Sequence, residues 1–136
     1  MPSKSTVAKS KAVSPARLKT LREESIRSLL ELEEALVDVR SHLKTLEGTM
    51  RRARRLAEAG HPALDIAIAV NASQARAGAS ATIDEIQHAR HRARQLQFKL
   101  SAAEGASMAE IARGWGVSRQ LVSRMVKEPI TRRRKA

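Results

Sequence analysis

Mostly apolar or small residues recur every seven positions along the first half of the chain. One row consists of Leu18, Ser25, Leu32, Val39, Leu46 and Ala53, and a companion row consists of Arg22, Leu29, Leu36, Leu43, Met50 and Ala57. The rows alternate at spacings of three and four residues, which is typical of a coiled coil. Ser14 followed by Pro15 is a favourable helix start. The pattern predicts a long coiled-coil helix over residues 15–59, paired either with a second chain or with the next helix.

A second helical stretch follows a clear break. Gly-His-Pro at 60–62 suits the end of one helix and the start of another. Residues 60–82 are rich in alanine and form a predicted helical connector. Thr82 and Glu85 have the spacing of a capping box, which marks a helix start. The apolar positions that follow predict a helix over residues 83–103, whose inward face consists of Ile83, Ile86, Ala89, Ala93, Leu96 and Leu100.

Two short amphipathic helices are predicted near the C-terminus. Ser107 and Glu110 form a capping box, and the apolar face of the helix they open consists of Met108, Ile111, Ala112 and Trp115. Gly116 allows a sharp turn, Val117 fills it, and Ser118 caps the next helix. The inward positions of that helix are Leu121, Val122, Met125 and Val126. Because no strand-like alternation accompanies these helices, the expected fold is all-α.

The turn between these two helices resembles a known DNA-binding unit. Ala112, Gly116, Val117, Ser118 and Val122 match the pattern A-x-x-x-G-V-S-x-x-x-V, which is shared by helix-turn-helix proteins among bacterial regulators and by the resolvase/invertase C-terminal domain. The resemblance covers residues 105–127. It implies a tri-helical helix-turn-helix head over residues 83–127. The alternative is a helical hairpin that uses the same glycine turn for packing only.

The resemblance also implies a role for the outward side of the second helix. Its residues 118–126 would enter the major groove of double-stranded DNA. Arg119 and Arg124 can each offer a fork to guanine, and Gln120 can pair with adenine. The alternative that one of these two arginines contacts only phosphate is equally open. The remaining contacts expected of this helix, to phosphate or of an adaptable kind, come from Ser118, Ser123 and Lys127.

The charge distribution favours a polyanionic partner. The formal net charge is +12, and the excess lies at the two ends of the chain. Residues 1–14 have no apolar period and are expected to form a disordered basic arm. Residues 128–136 are expected to form a disordered basic tail that follows the DNA backbone or enters a minor groove, or that merely solubilises the chain. The tail residues expected to contact DNA are Arg132, Arg133, Arg134 and Lys135.

Residues for other chemistry are missing from the sequence. There is no cysteine, so disulfides, thiol nucleophiles and cysteine zinc sites are excluded. His88 and His91 share a helix face but lack further metal ligands nearby, so no metal or cofactor is expected. No catalytic motif occurs, and we expect no enzymatic activity. No apolar run is long enough for a membrane span and no signal-peptide core is present, which predicts a cytoplasmic protein, on the nucleoid if bacterial.

The sequence therefore predicts an all-α protein that binds double-stranded DNA. We expect a sequence-specific transcriptional regulator that forms a homodimer through residues 15–58, because a long isolated helix needs a partner. One alternative is a nucleoid-organising or plasmid or phage maintenance protein with weak sequence preference. Another is a coiled-coil adaptor whose partner is a protein.

Overall fold

The computed structural model describes residues 13–132 of the chain. The described residues form helices α1 (Pro15–Glu58), α2 (Ala63–Ala69), α3 (Ala72–Ala103), α4 (Met108–Trp115) and α5 (Arg119–Lys127). No strand occurs among residues 13–132, which confirms the expected all-α fold and the long first helix. The helix-turn-helix interpretation of the last two helices stays a prediction.

The chain divides into two compact units. Within the described residues, the first unit consists of residues 13–31 and 89–132, and the second unit consists of residues 32–88. The first unit thus contains the beginning of α1, the end of α3, and both C-terminal helices. The predicted basic arm lies almost entirely outside the described residues, as does the very end of the tail.

The ends of α1 follow the local signals in the sequence. Ser14 accepts a hydrogen bond from the backbone amide of Arg17 at 3.2 Å through its side chain, which confirms it as the cap of the long helix. At the other end Gly60 has a φ of +88°, a conformation that favours glycine. The next helix begins directly after Pro62, which has extended backbone angles.

One heptad row of α1 faces inward as predicted, whereas the predicted companion row is exposed. Every residue of the row that begins at Leu18 is buried or half-buried, and every residue of the companion row that begins at Arg22 is exposed. The second inward row lies one position earlier and consists of Leu21, Ser28, Ala35, His42, Thr49 and Leu56. Its buried members include small side chains, which allow a neighbouring helix to approach closely.

In the first unit, α1 folds back on α3. The side chain of Gln97 donates a hydrogen bond to the buried hydroxyl of Ser25, and Arg22 pairs with Glu104 at 2.8 Å. Arg92 pairs with Glu31 at 3.3 Å, and both side chains are largely buried. These contacts show that residues 15–31 of α1 pack against α3 of the same chain, whereas pairing of the long helix with a second chain stays a prediction.

In the second unit, α3 runs through the position where a helix start was predicted. The hydroxyl of Thr82 donates to the carbonyl oxygen of Gly78 at 2.9 Å, one turn earlier in the same helix. The predicted capping box of Thr82 and Glu85 is therefore wrong. A Cβ atom on Gly78 would lie 3.1 Å from the ring of His42, so α1 approaches α3 closely there. The actual break precedes α3, at Asn71, which has a φ of +51°.

The main apolar cluster of the first unit joins α3 to α4 and α5. Its buried members are Phe98, Ile111, Ala112, Val122 and Met125, and Val117, Leu121 and Val126 pack against them. The inward positions predicted for the two short helices are confirmed except at Trp115, which remains 45% exposed. On α3, however, Ile83 is exposed, and fully buried Phe98 lies off the predicted apolar face.

Phe98 should therefore contribute far more to stability than Ile83. We expect Phe98→Ala to lower the free energy of unfolding by about 3–5 kcal/mol, because it leaves a cavity beneath both short helices. Ile83→Ala on the same helix should change it by less than about 1 kcal/mol, because that side chain already contacts water. Urea unfolding of both variants measures the difference, and equal losses would contradict the placement of the cluster.

Candidate nucleic-acid interface

Helix α4 begins with the predicted capping box. The backbone amide of Glu110 donates to the hydroxyl of Ser107 at 3.1 Å, and the backbone amide of Ser107 donates to the Glu110 carboxylate at 3.0 Å. Hydrogen bonds from Ser107 lower the pKa of Glu110 below its ordinary value. The bond from the Ser107 backbone has the larger effect, and the bond from its hydroxyl has the smaller one. The start of the helix is thus defined by two reciprocal bonds.

Gly116 forms the turn between α4 and α5. Its φ of +65° and ψ of +36° lie in the left-handed region, which L side chains rarely adopt. The amide of Val117 donates to the carbonyl oxygen of Ala112 at 3.1 Å, and the Val117 side chain packs against the apolar cluster. The turn therefore ends α4 and at the same time directs Val117 inward, as predicted.

Helix α5 starts at a capped end that carries no acidic residue. The hydroxyl of Ser118 accepts a hydrogen bond from the amide of Leu121 at 3.1 Å, which confirms the predicted cap. No Asp or Glu lies in the first turn. The partial positive charge of the helix start is therefore not neutralised by a side chain of that turn, and such an end attracts anions.

The polar residues of α5 share one side of the helix. Successive residues are about 100° apart around an α-helix, so positions 119, 120, 123, 124 and 127 span roughly 140°, and the apolar positions occupy the rest. Arg119, Gln120, Arg124 and Lys127 are exposed, and Ser123 is half-buried. We call these five residues the outward face of α5. The structure thus brings together five of the predicted site residues, next to the capping Ser118.

Two contacts modify the end of this face. Arg124 lies 3.7 Å from Glu128, in an exposed pair one turn apart, which leaves the guanidinium accessible. The ammonium group of Lys99 donates to the carbonyl oxygen of Val126 at 2.7 Å. Burial lowers the pKa of Lys99 and the charge of Arg17 lowers it further, whereas Glu128 raises it. Lys99, which lies on α3, thus binds a backbone carbonyl group of α5. Local sequence patterns do not reveal such a contact.

The first residues of the predicted tail are held against α3. Gln95 is fully buried, and its amide donates to the carbonyl oxygen of Pro129 at 2.8 Å and accepts from the amide of Thr131 at 2.9 Å. Arg92 also donates to the carbonyl oxygen of Thr131. The expectation of a disordered tail is therefore wrong for residues 128–131, because buried polar groups on α3 bind their backbone. Arg132 is exposed, and Arg133, Arg134 and Lys135 lie outside the described residues.

Two other side chains contact partners that are distant in sequence. Trp115 was expected to pack in the core, but it remains 45% exposed while its ring meets Phe98 edge-on, with centroids 5.2 Å apart. Arg92 is largely buried beside Glu31. In both cases the neighbouring side chain comes from a distant segment of the chain.

Comparison with protein-family models, with curated proteins and with solved structures finds no match to this chain. The resemblance to helix-turn-helix proteins accordingly rests on the residues between 105 and 127. Within residues 13–132, no helix combines the length and the apolar character needed to cross a bilayer. In the same part of the chain, no three His, Asp or Glu side chains cluster as metal ligands.

Two glycines separated by one residue should respond oppositely to alanine. Neither Gly114 nor Gly116 has an atom near the place of an added Cβ, so packing plays no part. Gly116→Ala should cost about 1–2 kcal/mol, because the residue must stay left-handed. Gly114→Ala should stabilise by up to about 1 kcal/mol through helix propensity. Thermal or urea unfolding measures both; a stabilising Gly116→Ala would show that this turn is not needed.

The capping box also predicts a pH dependence. Because the folded pKa of Glu110 is lowered, its contribution to stability is complete above the unfolded value near 4.5 and is lost as the pH falls through the folded value. Ser107→Ala keeps the backbone donor but removes the hydroxyl, so it should raise the pKa of Glu110 part of the way back. NMR titration of the carboxyl group compares the two proteins, and an identical pKa in both would contradict the role of the hydroxyl.

Proposed function

We propose that this protein binds double-stranded DNA and acts as a sequence-specific transcriptional regulator. The outward face of α5 would lie in the major groove, and copies of the chain would act as a homodimer through the long helix. A cytoplasmic location, on the nucleoid if the source is bacterial, belongs to the same proposal, as does the absence of enzymatic activity.

The observation that carries the proposal is the outward face of α5. It combines two arginines, a glutamine and a lysine on one side of a short helix, while the opposite side is anchored in the apolar cluster. Arginine and glutamine are the residue types that bind guanine and adenine edges in the major groove. An exposed face whose opposite side is anchored is suited to binding base edges, because the packing of the helix need not rearrange when DNA binds.

The charge around this face agrees with the same partner. Residues 101–136 contain eight basic and three acidic residues. The backbone of residues 129–131 is bound by Gln95, so Arg132 leaves the folded unit from a defined place. Basic residues that follow such an anchor would add affinity through phosphate contacts, and that contribution falls as the salt concentration rises.

Capture of fragmented genomic DNA by the full-length protein at about 0.2 M salt tests the proposal, since non-specific binding is weakened there. A few enriched sites with two-fold symmetry would support a regulator. Even recovery across the genome would replace this role by that of a nucleoid-organising or maintenance protein. No recovery, at this or at lower salt, would show that DNA is not the ligand and would favour a protein partner for the coil.

Arg119 provides the sharpest residue-level test. On a captured site, Arg119→Ala should weaken binding by about 1–3 kcal/mol if the side chain reads a base. Arg27→Ala is the control, because it removes the same charge from an exposed position on α1. It should change the binding of every DNA sequence equally and only slightly. Titration of the captured site and of a scrambled duplex separates the two results. An equal loss on both duplexes would make Arg119 a phosphate contact.

A further inference from the structure

Three apolar side chains of the second unit face solvent at intervals of seven residues. Leu36, Leu43 and Met50 lie on α1 and are each more than half exposed; we call them the apolar row. Large apolar side chains at this spacing form a continuous line along one side of a helix. Such a line is complementary to another helix with the same seven-residue period.

A row of alternating charges lies beside the apolar row. It consists of Glu33, Arg40, Glu47 and Arg54, all exposed on α1 and all in the second unit. The first three charges each precede a member of the apolar row by three residues, so the two rows are neighbours on the helix surface. An apolar line flanked by charges of both signs has the composition of a helix-pairing surface, in which the charges choose the partner and its direction.

The order of the charges selects a second copy in the opposite direction. In two parallel copies related by a two-fold axis, the charged rows lie on opposite sides of the contact and do not face each other. Reversing one copy about the midpoint of the charged row places Glu33 opposite Arg54 of the second copy and Arg40 opposite its Glu47. That midpoint lies next to Leu43, which is also the centre of the apolar row. The same reversal therefore brings Leu43 against itself and Leu36 against Met50.

We propose that two copies of this chain associate through the apolar row of α1, antiparallel, about a two-fold axis near Leu43. This inference rests on the homodimer proposed above but not on DNA binding, because every residue it uses lies in the second unit. The inward row of α1 packs within its own chain, and the apolar row on the neighbouring side receives the second copy. The homodimer is thus not a simple two-stranded coiled coil made from the inward row.

Two charges of the row already have partners within the helix. Glu47 lies 3.8 Å from Arg51, and Arg54 lies 2.8 Å from Glu58. Both are exposed pairs one turn apart, and such pairs contribute little to stability. Glu47 and Arg54 can therefore exchange their partners within the helix for partners on a second copy at little cost in free energy.

Single cysteines test the pairing directly, because the natural chain has none. After oxidation, Leu43→Cys should form a disulfide-linked dimer, since a residue near the two-fold axis meets its own copy. Leu36→Cys and Met50→Cys should each stay monomeric alone but form a mixed dimer when combined. Ser41→Cys is the control: it is exposed on the same helix but points about 200° away from Leu43, and it should not cross-link.

Sedimentation of the full-length chain over about a hundredfold range of concentration measures whether the chain is a monomer or a dimer. A dimer that Leu43→Glu dissociates supports the proposal. A monomer at every concentration overturns it, and so does efficient cross-linking of Leu36→Cys with itself, which indicates parallel chains. DNA binding by a monomeric chain would overturn this inference alone, whereas a dimer that binds no DNA would leave it standing and remove the DNA-binding function.

A charge exchange supplies an independent check on direction. Arg40→Glu should raise the dissociation constant of the dimer by about tenfold, because it opposes like charges twice in an antiparallel pair. Adding Glu47→Arg restores opposite charges and should return the constant to within about threefold of the original. If the double variant is as weak as the single one, the proposed antiparallel arrangement is wrong.

Discussion

The first unit depends on the burial of α3 on more than one side between residues 93 and 100. Gln95, Leu96 and Phe98 are all fully buried, and three positions so close together point in different directions around a helix. The segment is therefore enclosed by several neighbours at once. Phe98 supports the two short helices, Gln95 binds the chain that leaves α5, and Gln97 reaches the beginning of α1. Each of these contacts joins residues distant in sequence, so tertiary contacts hold the unit together.

The buried side-chain amide of Gln95 binds the segment of the chain that follows α5. Gln95 offers donors and an acceptor in an apolar setting, where an unsatisfied polar group is costly. The backbone of residues 128–131 satisfies it, and this segment has no regular secondary structure of its own. The start of the basic tail is consequently fixed relative to α5, which matters for any partner that contacts both.

The two units present different surfaces to potential partners. The outward face of α5 is polar and basic, and the opposite side of the helix packs in the apolar cluster. The apolar row of α1 is flanked by charges that alternate in sign. Its neighbour toward the interior, the row through Ser28 and Ala35, includes small side chains that allow close helix packing. These differences separate a surface suited to an anion from one suited to another helix.

Local signals in the sequence determined the all-α fold, the ends of α1, the capping box of α4, the left-handed turn at Gly116, and the two faces of α5. Each of these depends on residues within one or two turns of each other, where backbone hydrogen bonds and helical periodicity act directly. The same signals failed at Thr82, because its hydroxyl can bond a carbonyl one turn earlier as readily as it caps a helix start.

Only the tertiary structure decided which heptad row of α1 faces inward, because steps of three and of four residues fit the same period and the choice depends on the neighbouring helix. It also decided the burial of Gln95 and Phe98, the exposure of Trp115, and the ordering of residues 128–131. The physical reason is common to all of them: burial is determined by whatever packs against a side chain, and for these residues that neighbour lies in another segment of the chain.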